Sequence, residues 1–222
     1  IYDVAHAVDG RLIEAERHLA RLRDGATALR LRSLPDAEWR RVWEALLEAN
    51  GLGEGEALVY CQVTRGAAPR AHPFPPGDAA PTHYAFAQRL TPPDALRATG
   101  AAAVTFPDLR WGRCDLKTIA LLPNVLARQA AAEAGAFEAI LVRLPEGVDD
   151  EAPPPGDAVR AYAGGVDAPH GIVTEGSLSA VFAVVDGVLR THPAGRRILP
   201  SITRAVVLEL AAAHGVPHEE RA

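Results

Sequence analysis

The chain of 222 residues is poor in several residue types, and each shortage excludes a class of protein. Its two cysteines, Cys61 and Cys114, are too few for a disulfide framework, so the expected location is the reducing cytoplasm. No apolar run approaches the ~20 residues that cross a membrane. A net charge of −5 argues against binding to a nucleic-acid backbone. The composition therefore predicts a soluble globular protein.

Lysine is the scarcest charged residue. Lys and Arg together number 23, and Lys117 is the single lysine, which leaves 22 arginines. A desolvated lysine can lose its proton, whereas arginine cannot do so in a protein. The lone amine precedes a predicted apolar helix with Leu122, Val125 and Leu126 on one face, where desolvation favours a Schiff base with an aldehyde cofactor. The alternative is codon bias toward arginine, with one lysine surviving by drift.

Apolar periodicity predicts an α+β protein with two domains, 1–90 and 91–222, divided at the Thr91-Pro-Pro-Asp break. Asp-Gly pairs at 9–10 and 186–187 each predict a tight hairpin turn. A Pro- and Gly-rich insertion, Leu144–His170, is typical of a surface loop or lid. The predicted helices cover 14–31, 35–51, 119–134 and 203–213, and the predicted strands cover 1–8, 57–64, 83–90, 101–106, 137–143, 181–185 and 188–191.

Three further groups could carry chemistry. Glu175, in Val-Thr-Glu-Gly-Ser, could face a protonated ring nitrogen, although taken alone it is more typical of an ordinary helix cap or an exposed turn acid. The turn before Ile202 and Thr203 feeds a helix N-terminus that could seat a phosphate, unless Ser201 is a simple N-cap. Arg70 and His72, two apart in an extended segment, can converge on one carboxylate.

Together these groups provide an amine nucleophile, an acid for a ring nitrogen, an anion-binding helix N-terminus and a pair of side chains that can bind a carboxylate. This set suits pyridoxal phosphate acting on an amino acid. The chain resembles the fold-type IV pyridoxal-phosphate enzymes, and within them the D-amino-acid aminotransferases. Three motifs carry the resemblance almost end to end: Arg-Cys-Asp-Leu-Lys117-Thr with Leu-Leu-Pro-Asn-Val-Leu-Ala-Arg-Gln129, Val-Thr-Glu175-Gly-Ser, and Gln62-Val-Thr-Arg-Gly-Ala-Ala-Pro-Arg70-Ala-His72.

The resemblance implies a small α/β domain, a larger pseudo-barrel α+β domain and the cofactor pyridoxal 5′-phosphate. It implies that Lys117 is the catalytic Schiff-base lysine and that Tyr2, Arg70 and His72 bind the substrate carboxylate. Arg70 and His72 would reach across from a second subunit, so the resemblance also implies a homodimer. The remaining implied cofactor-binding residues are Arg21, Glu175, Ser177, Leu199, Ile202 and Thr203.

The chain departs from the family pattern at several places. Asp3 replaces a usual Glu, Leu178 replaces a small polar residue, and the 144–170 insertion lengthens a short connection. The chain also begins within a predicted strand, lacks methionine and stops before an expected Ser/Thr loop, so we expect truncation at both ends. Alternative functions are an aminodeoxychorismate lyase, a branched-chain L-amino-acid aminotransferase or a non-catalytic family member.

Overall fold

The protein is described by a computed structural model at residues 1–75, 79–144 and 171–221. It forms two compact units. Unit 1 comprises Ile1–Pro93 and Leu116–Ile119, and unit 2 comprises Asp94–Asp115 and Ala120–Ala222. The division into 1–90 and 91–222 stays a prediction of domain organisation. The structure adds that the short segment around Lys117 groups with unit 1.

Unit 1 contains a four-stranded antiparallel sheet in the order β2-β1-β3-β4. Buried and partly buried residues alternate along β1 and β3, as expected when one face of a sheet is covered. The predicted first hairpin is confirmed, because Asp9 and Gly10 both adopt the positive φ of a primed turn. The strands are β1 (Tyr2–Val8), β2 (Arg11–Leu12), β3 (Glu56–Thr64) and β4 (Thr82–Arg89).

Two helices bury their apolar stripes in the core of unit 1. They are α1 (Ala15–Ala28) and α2 (Asp36–Ala49), and both fall within the predicted ranges. The core includes the fully buried Trp39 and Trp43 of α2. Burying a large apolar side chain contributes on the order of 2 kcal/mol of stability, so these side chains help to hold the helices on the sheet.

The described residues of unit 2 form two three-stranded sheets and three helices. In the first sheet, β6 pairs in parallel with β5 and antiparallel with β7. In the second, β9 pairs antiparallel with β8 and in parallel with β10. The elements are α3 (Asp94–Thr99), β5 (Ala103–Pro107), α4 (Leu122–Glu133), β6 (Glu138–Arg143), β7 (Ile172–Gly176), β8 (Ala183–Val185), β9 (Val188–Thr191), α5 (Ile202–Ala213) and β10 (His218–Glu220).

The predicted start of α4 at Ile119 was wrong. The helix begins at Leu122, with Pro123 in its first turn. A helix from Ile119 would need the N–H of residue 123 to donate to the Ile119 carbonyl, and proline has no N–H. Leu122 and Val125 are also mainly exposed, 68% and 57%, so the helix does not bury the whole apolar face that the sequence predicted.

The second predicted hairpin is confirmed in unit 2. Asp186 and Gly187 have positive φ values, and Val185 pairs with Val188.

Among the described residues no helix combines the length and the apolar character that crossing a bilayer requires. The predicted loop or lid over Leu144–His170 falls, after its first residue, outside the described residues.

Candidate active site

Lys117 is held against the first strand of unit 1. Its carbonyl accepts a 3.0 Å hydrogen bond from the backbone N–H of Tyr2. Its amine nitrogen lies 4.4 Å from the centroid of the Tyr2 ring, which is the geometry of a cation–π contact. Lys117 is partly buried. Both the backbone and the side chain of Tyr2 therefore contact the residue that carries the single amine.

A buried acid lies beside Tyr2 in the same strand. Asp3 is completely buried and receives two hydrogen bonds from Arg21, Nε to Oδ2 at 2.8 Å and Nη2 to Oδ1 at 2.9 Å. His18 Nδ1 lies 2.7 Å from Oδ1 of the same carboxylate. Burial alone raises the pKa of Asp3, but hydrogen bonds from His18 and Arg21 outweigh it and hold the pKa below its usual value. Asp3 thus orients Arg21, the predicted phosphate-binding residue.

Glu175 is the next-to-last residue of the β7 strand in unit 2, and its carboxylate is buried, with 8% of the residue's surface exposed. Arg110 Nη1 donates to Glu175 Oε1. The backbone N–H of Leu199 lies 3.3 Å from Oε1 and 3.2 Å from Oε2. Burial raises the pKa of Glu175 above its ordinary value, and the guanidinium of Arg110 offsets only part of that effect.

Arg110 is itself clamped by a second buried acid. Its Nε and Nη2 donate to Asp108 Oδ1 and Oδ2 at 2.8 and 2.9 Å, a bidentate pair. The Thr174 hydroxyl donates to Asp108 Oδ2 at 2.9 Å, and the Arg197 carbonyl accepts from Arg110 Nη2 at 3.0 Å. Only 6% of the Arg110 side chain is exposed. The guanidinium therefore joins two carboxylates whose residues are 67 positions apart in sequence.

The turn after Glu175 is organised by Glu138. The hydroxyl of Ser177 donates to Glu138 Oε1, its backbone N–H donates to the same oxygen at 3.1 Å, and Ser179 Oγ donates to Oε2 at 2.7 Å. Asn124 Nδ2 donates to the Ser177 carbonyl at 2.8 Å. Ser177 is predicted to bind the cofactor, and its hydroxyl is used here to hold the turn.

The N-terminus of helix α5 is capped by Ser201, which is one of the two interpretations of this segment that the sequence offered. Ser201 is its N-cap, and Ser201 Oγ accepts from Arg204 N at 3.2 Å. In the described part of the chain no acceptor faces the backbone N–H groups of Ile202 and Thr203, the first two residues of the helix. The cap and an anion seat are therefore compatible, because the cap uses the third N–H and leaves two for a ligand.

Arg70 and His72 follow β3 in unit 1, and both are exposed. Nothing in residues 1–75, 79–144 or 171–221 forms a hydrogen bond or ion pair with either side chain. Their predicted role, with Tyr2, in binding a carboxylate stays a prediction. The same holds for Leu199, which is partly buried and donates its N–H to Glu175.

Unit 1 contains the predicted residues Tyr2, Arg21, Lys117, Arg70 and His72. The others lie in unit 2, where the N–H of Leu199 joins the strand end to the turn before α5. Sequence reasoning missed the acids and bases that support these groups: Asp3, His18, Asp108, Arg110 and Glu138. One signal was present, because oppositely charged residues two apart follow β5 at 108 and 110.

Comparisons with known proteins agree with one another. The family model described as amino-transferase class IV matches residues 1–148 and 168–222. The chain is 34% identical to a D-alanine aminotransferase of Bacillus licheniformis over 223 residues, which is 100% of this chain and 69% of that protein. It is 35% identical to a D-alanine aminotransferase of Staphylococcus epidermidis, over 99% of this chain and 68% of the relative.

Solved structures of similar fold include a fold IV-transaminase from Curtobacterium pusillum. The TM-score is 0.75 at 24% identity, covering 100% of this chain and 69% of that one. A branched-chain amino acid aminotransferase from Escherichia coli gives a TM-score of 0.72 at 20% identity, covering 100% and 67%. These likenesses establish the fold.

Proposed function

The chain belongs to the class IV amino-transferase family, and from that premise we propose that it moves the amino group of a D-amino acid to a 2-oxo acid. D-Alanine is the proposed donor, and 2-oxoglutarate or pyruvate the acceptor. The observation that carries the choice of substrate is the match to D-alanine aminotransferases along essentially the whole chain. The branched-chain enzyme shares the fold at 20% identity, which does not favour its substrate.

The residues present fit pyridoxal 5′-phosphate as the cofactor. Glu175 offers a buried carboxylate with acceptor capacity left on Oε2, which suits a protonated ring nitrogen. Lys117 offers one amine, and the first turn of α5 offers the N–H groups of Ile202 and Thr203 to a phosphate, with Arg21 as a further cation. Leu199 would pack on the ring, and Ser177 would fix the turn beside it.

The bound cofactor would supply an electron sink for the carbon that carries the amino group. Lys117 would remove the proton from that carbon and would return it at C4′ of the cofactor, on the other side of the amino nitrogen. Tyr2, Arg70 and His72 would hold the substrate carboxylate and so decide which hydrogen faces Lys117. This arrangement selects one enantiomer by orientation.

The proposed assembly is a cytoplasmic homodimer. Arg70 and His72 are exposed in a single chain, which suits side chains that complete the site of a second subunit. Cys61 and Cys114 are both buried free thiols, which suits a reducing compartment.

The single lysine makes the decisive experiment unambiguous. Reducing the cofactor-loaded protein with borohydride and mapping its peptides should place the cofactor on Lys117, because no other side-chain amine exists. Lys117→Ala should lose the adduct, the visible absorbance and the conversion of D-alanine plus 2-oxoglutarate to pyruvate. A variant that retains full activity would remove Lys117 from the chemistry.

Substrate tests separate the alternatives. Release of pyruvate from D-alanine only when 2-oxoglutarate is present indicates transamination. An aminodeoxychorismate lyase would release no pyruvate from D-alanine, because β-elimination needs a leaving group that the methyl side chain does not have. L-Leucine as the preferred donor would indicate the branched-chain activity. A colourless protein that takes up no added cofactor would indicate a non-catalytic member.

A further inference from the structure

Arg110 occupies an unusual position for a buried cation, because it touches two carboxylates that are both buried. It is fixed on one side by the bidentate pair with Asp108 and on the other by Glu175 Oε1. Arg110 thereby holds Glu175 through one oxygen only. Among the described residues, Oε2 receives nothing but a share of the Leu199 N–H.

The charges of Asp108, Arg110 and Glu175 sum to −1, so the cluster calls for one further cation. Asp108 and Arg110 neutralise each other, so Glu175 brings a net charge of −1 to a buried location. Arg143 Nη2 lies 3.6 Å from Asp108 Oδ2, but its side chain is 30% exposed, so water screens it and it does not touch Glu175. A buried uncompensated carboxylate is costly unless a partner arrives.

We propose that Arg110 is a positioning residue: clamped by Asp108, it fixes Oε1 of Glu175 and leaves Oε2 to accept a hydrogen bond from the protonated ring nitrogen of the cofactor. The inference rests on the proposed function. Arg110 would act through Glu175 and would not itself touch the cofactor. Asp108 would compensate the guanidinium charge, so that Arg110 does not repel the protonated ring.

The arrangement also sets the pH range in which the site can work. Glu175 must be ionised to pair with a ring cation, yet burial raises its pKa. The charged or titratable groups around it are Arg110 and, further away, Asp108 and the buried Cys114, whose thiol pKa burial also raises. Of these, only Arg110 favours the ionised carboxylate, and it does so by direct contact.

The test measures cofactor retention by the full chain without using catalysis. Apo-protein is loaded with pyridoxal 5′-phosphate, and the fraction retained after dialysis is measured by absorbance between about pH 5 and pH 9. Wild type is compared with Arg110→Met, Arg110→Lys and Glu175→Gln. Arg143→Met is the matched control, because it removes a cation that contacts Asp108 without touching Glu175.

We expect Arg110→Met to raise, by about one unit, the pH below which the protein loses the cofactor (the acid limb of the retention curve). The affinity for the cofactor should also weaken about tenfold. Arg110→Lys should lose less on both measures than Arg110→Met, since lysine keeps the positive charge but not the bidentate geometry of the guanidinium. Arg143→Met should keep the wild-type limb. If Arg110→Met does not fold, as judged by circular dichroism of the apo-protein, the position of the limb in Arg110→Lys decides.

Two outcomes overturn the inference and leave the proposed function intact. One is a folded Arg110→Met variant with the wild-type limb and affinity. The other is an equal shift in Arg143→Met, which would indicate an effect of net charge alone. Failure of the wild-type protein itself to retain the cofactor, with no adduct on Lys117, would instead reject the proposed function.

Discussion

The amine of Lys117 lies 4.4 Å from the centre of the Tyr2 ring, and the Tyr2 N–H donates to the Lys117 carbonyl. Tyr2 also stacks on Tyr60, with ring centroids 5.6 Å apart, so the ring has support from behind. Tyr2 thus contacts both the backbone of Lys117 and its amine. The ring and the hydroxyl of Tyr2 can be tested separately.

Tyr2→Phe removes the hydroxyl and keeps the ring. If the hydroxyl binds the substrate carboxylate, we expect KM for D-alanine to rise about tenfold, because a hydrogen bond to a charged group contributes roughly 1.5–3 kcal/mol. The turnover number should change little, because the contact between the ring and Lys117 remains. Tyr2→Leu should lower turnover as well. Steady-state kinetics with D-alanine and 2-oxoglutarate measures both quantities.

Tyr84→Phe is the matched control, since Tyr84 is 57% exposed and lies at the far side of the same group of rings. It should leave KM and turnover unchanged. A wild-type KM in Tyr2→Phe would exclude the hydroxyl from substrate binding.

Asp3 predicts a specific dependence of stability on pH. Its pKa is lowered in the folded protein by His18 and Arg21 despite complete burial. A carboxyl with a depressed folded pKa contributes stability that is present above its unfolded pKa, about 3.9, and is lost as pH falls through the folded value. Asp3→Asn should therefore cost about 3 kcal/mol near neutral pH, since it removes the buried negative charge that Arg21 and His18 contact.

Urea unfolding followed by circular dichroism at neutral pH and at about pH 3 checks this expectation. The difference in unfolding free energy between wild type and Asp3→Asn should shrink at the lower pH. The control is Asp24→Asn in helix α1, because the Asp24 side chain is 77% exposed and 3.8 Å from Arg23. It should change stability by less than about 0.5 kcal/mol at both pH values. A pH-independent loss in Asp3→Asn would point to packing in place of charge.

Gly176 tests how the turn after Glu175 is held. A Cβ at this position would lie 2.4 Å from Ser179 Oγ and 2.9 Å from Glu138 Oε2, so those hydrogen-bonded groups would have to move apart. We expect Gly176→Ala to destabilise the protein by about 1–3 kcal/mol and to weaken cofactor binding. Gly195→Ala, where a Cβ meets nothing within 4 Å, should leave both unchanged. Equal thermal unfolding of the two variants would contradict the steric argument.

Elements whose cause is local could be predicted from the sequence. The turns at Asp9-Gly10 and Asp186-Gly187 need positive φ at two adjacent residues, and the residue types alone indicate it. The alternating pattern of β3 and the stripe of Leu19, Leu22 and Ala26 on α1 follow from the same kind of short-range rule.

Features that depend on contacts distant in sequence could not be predicted. Asp3 and Arg21 are separated by a hairpin and half a helix, and Arg110 and Glu175 by 65 positions. No periodicity connects such pairs, since they meet only when the strands are assembled. For the same reason Ser177 was predicted as a cofactor ligand without its partner Glu138. The error at α4 had a local cause, the missing N–H of Pro123, which the sequence could have revealed.

The exposed pair Arg70 and His72 predicts that two subunits share each site. Arg70→Ala alone and Lys117→Ala alone should both have low activity with D-alanine. Mixing the two variants and allowing subunits to exchange should restore activity, because a hybrid dimer has one site with an intact Lys117 from one subunit and an intact Arg70 from the other. Statistical mixing makes half of the dimers hybrids, and each hybrid has one intact site of its two. Recovery should therefore approach about a quarter of wild-type activity.

Two further mixtures are the controls. His72→Ala mixed with Lys117→Ala should recover in the same way. Arg21→Ala mixed with Lys117→Ala should not, because Arg21 is held by Asp3 in its own subunit and is proposed to serve the same site as Lys117. Absence of recovery in exchanged dimers, verified by mass, would place Arg70 and Lys117 in the site of one subunit.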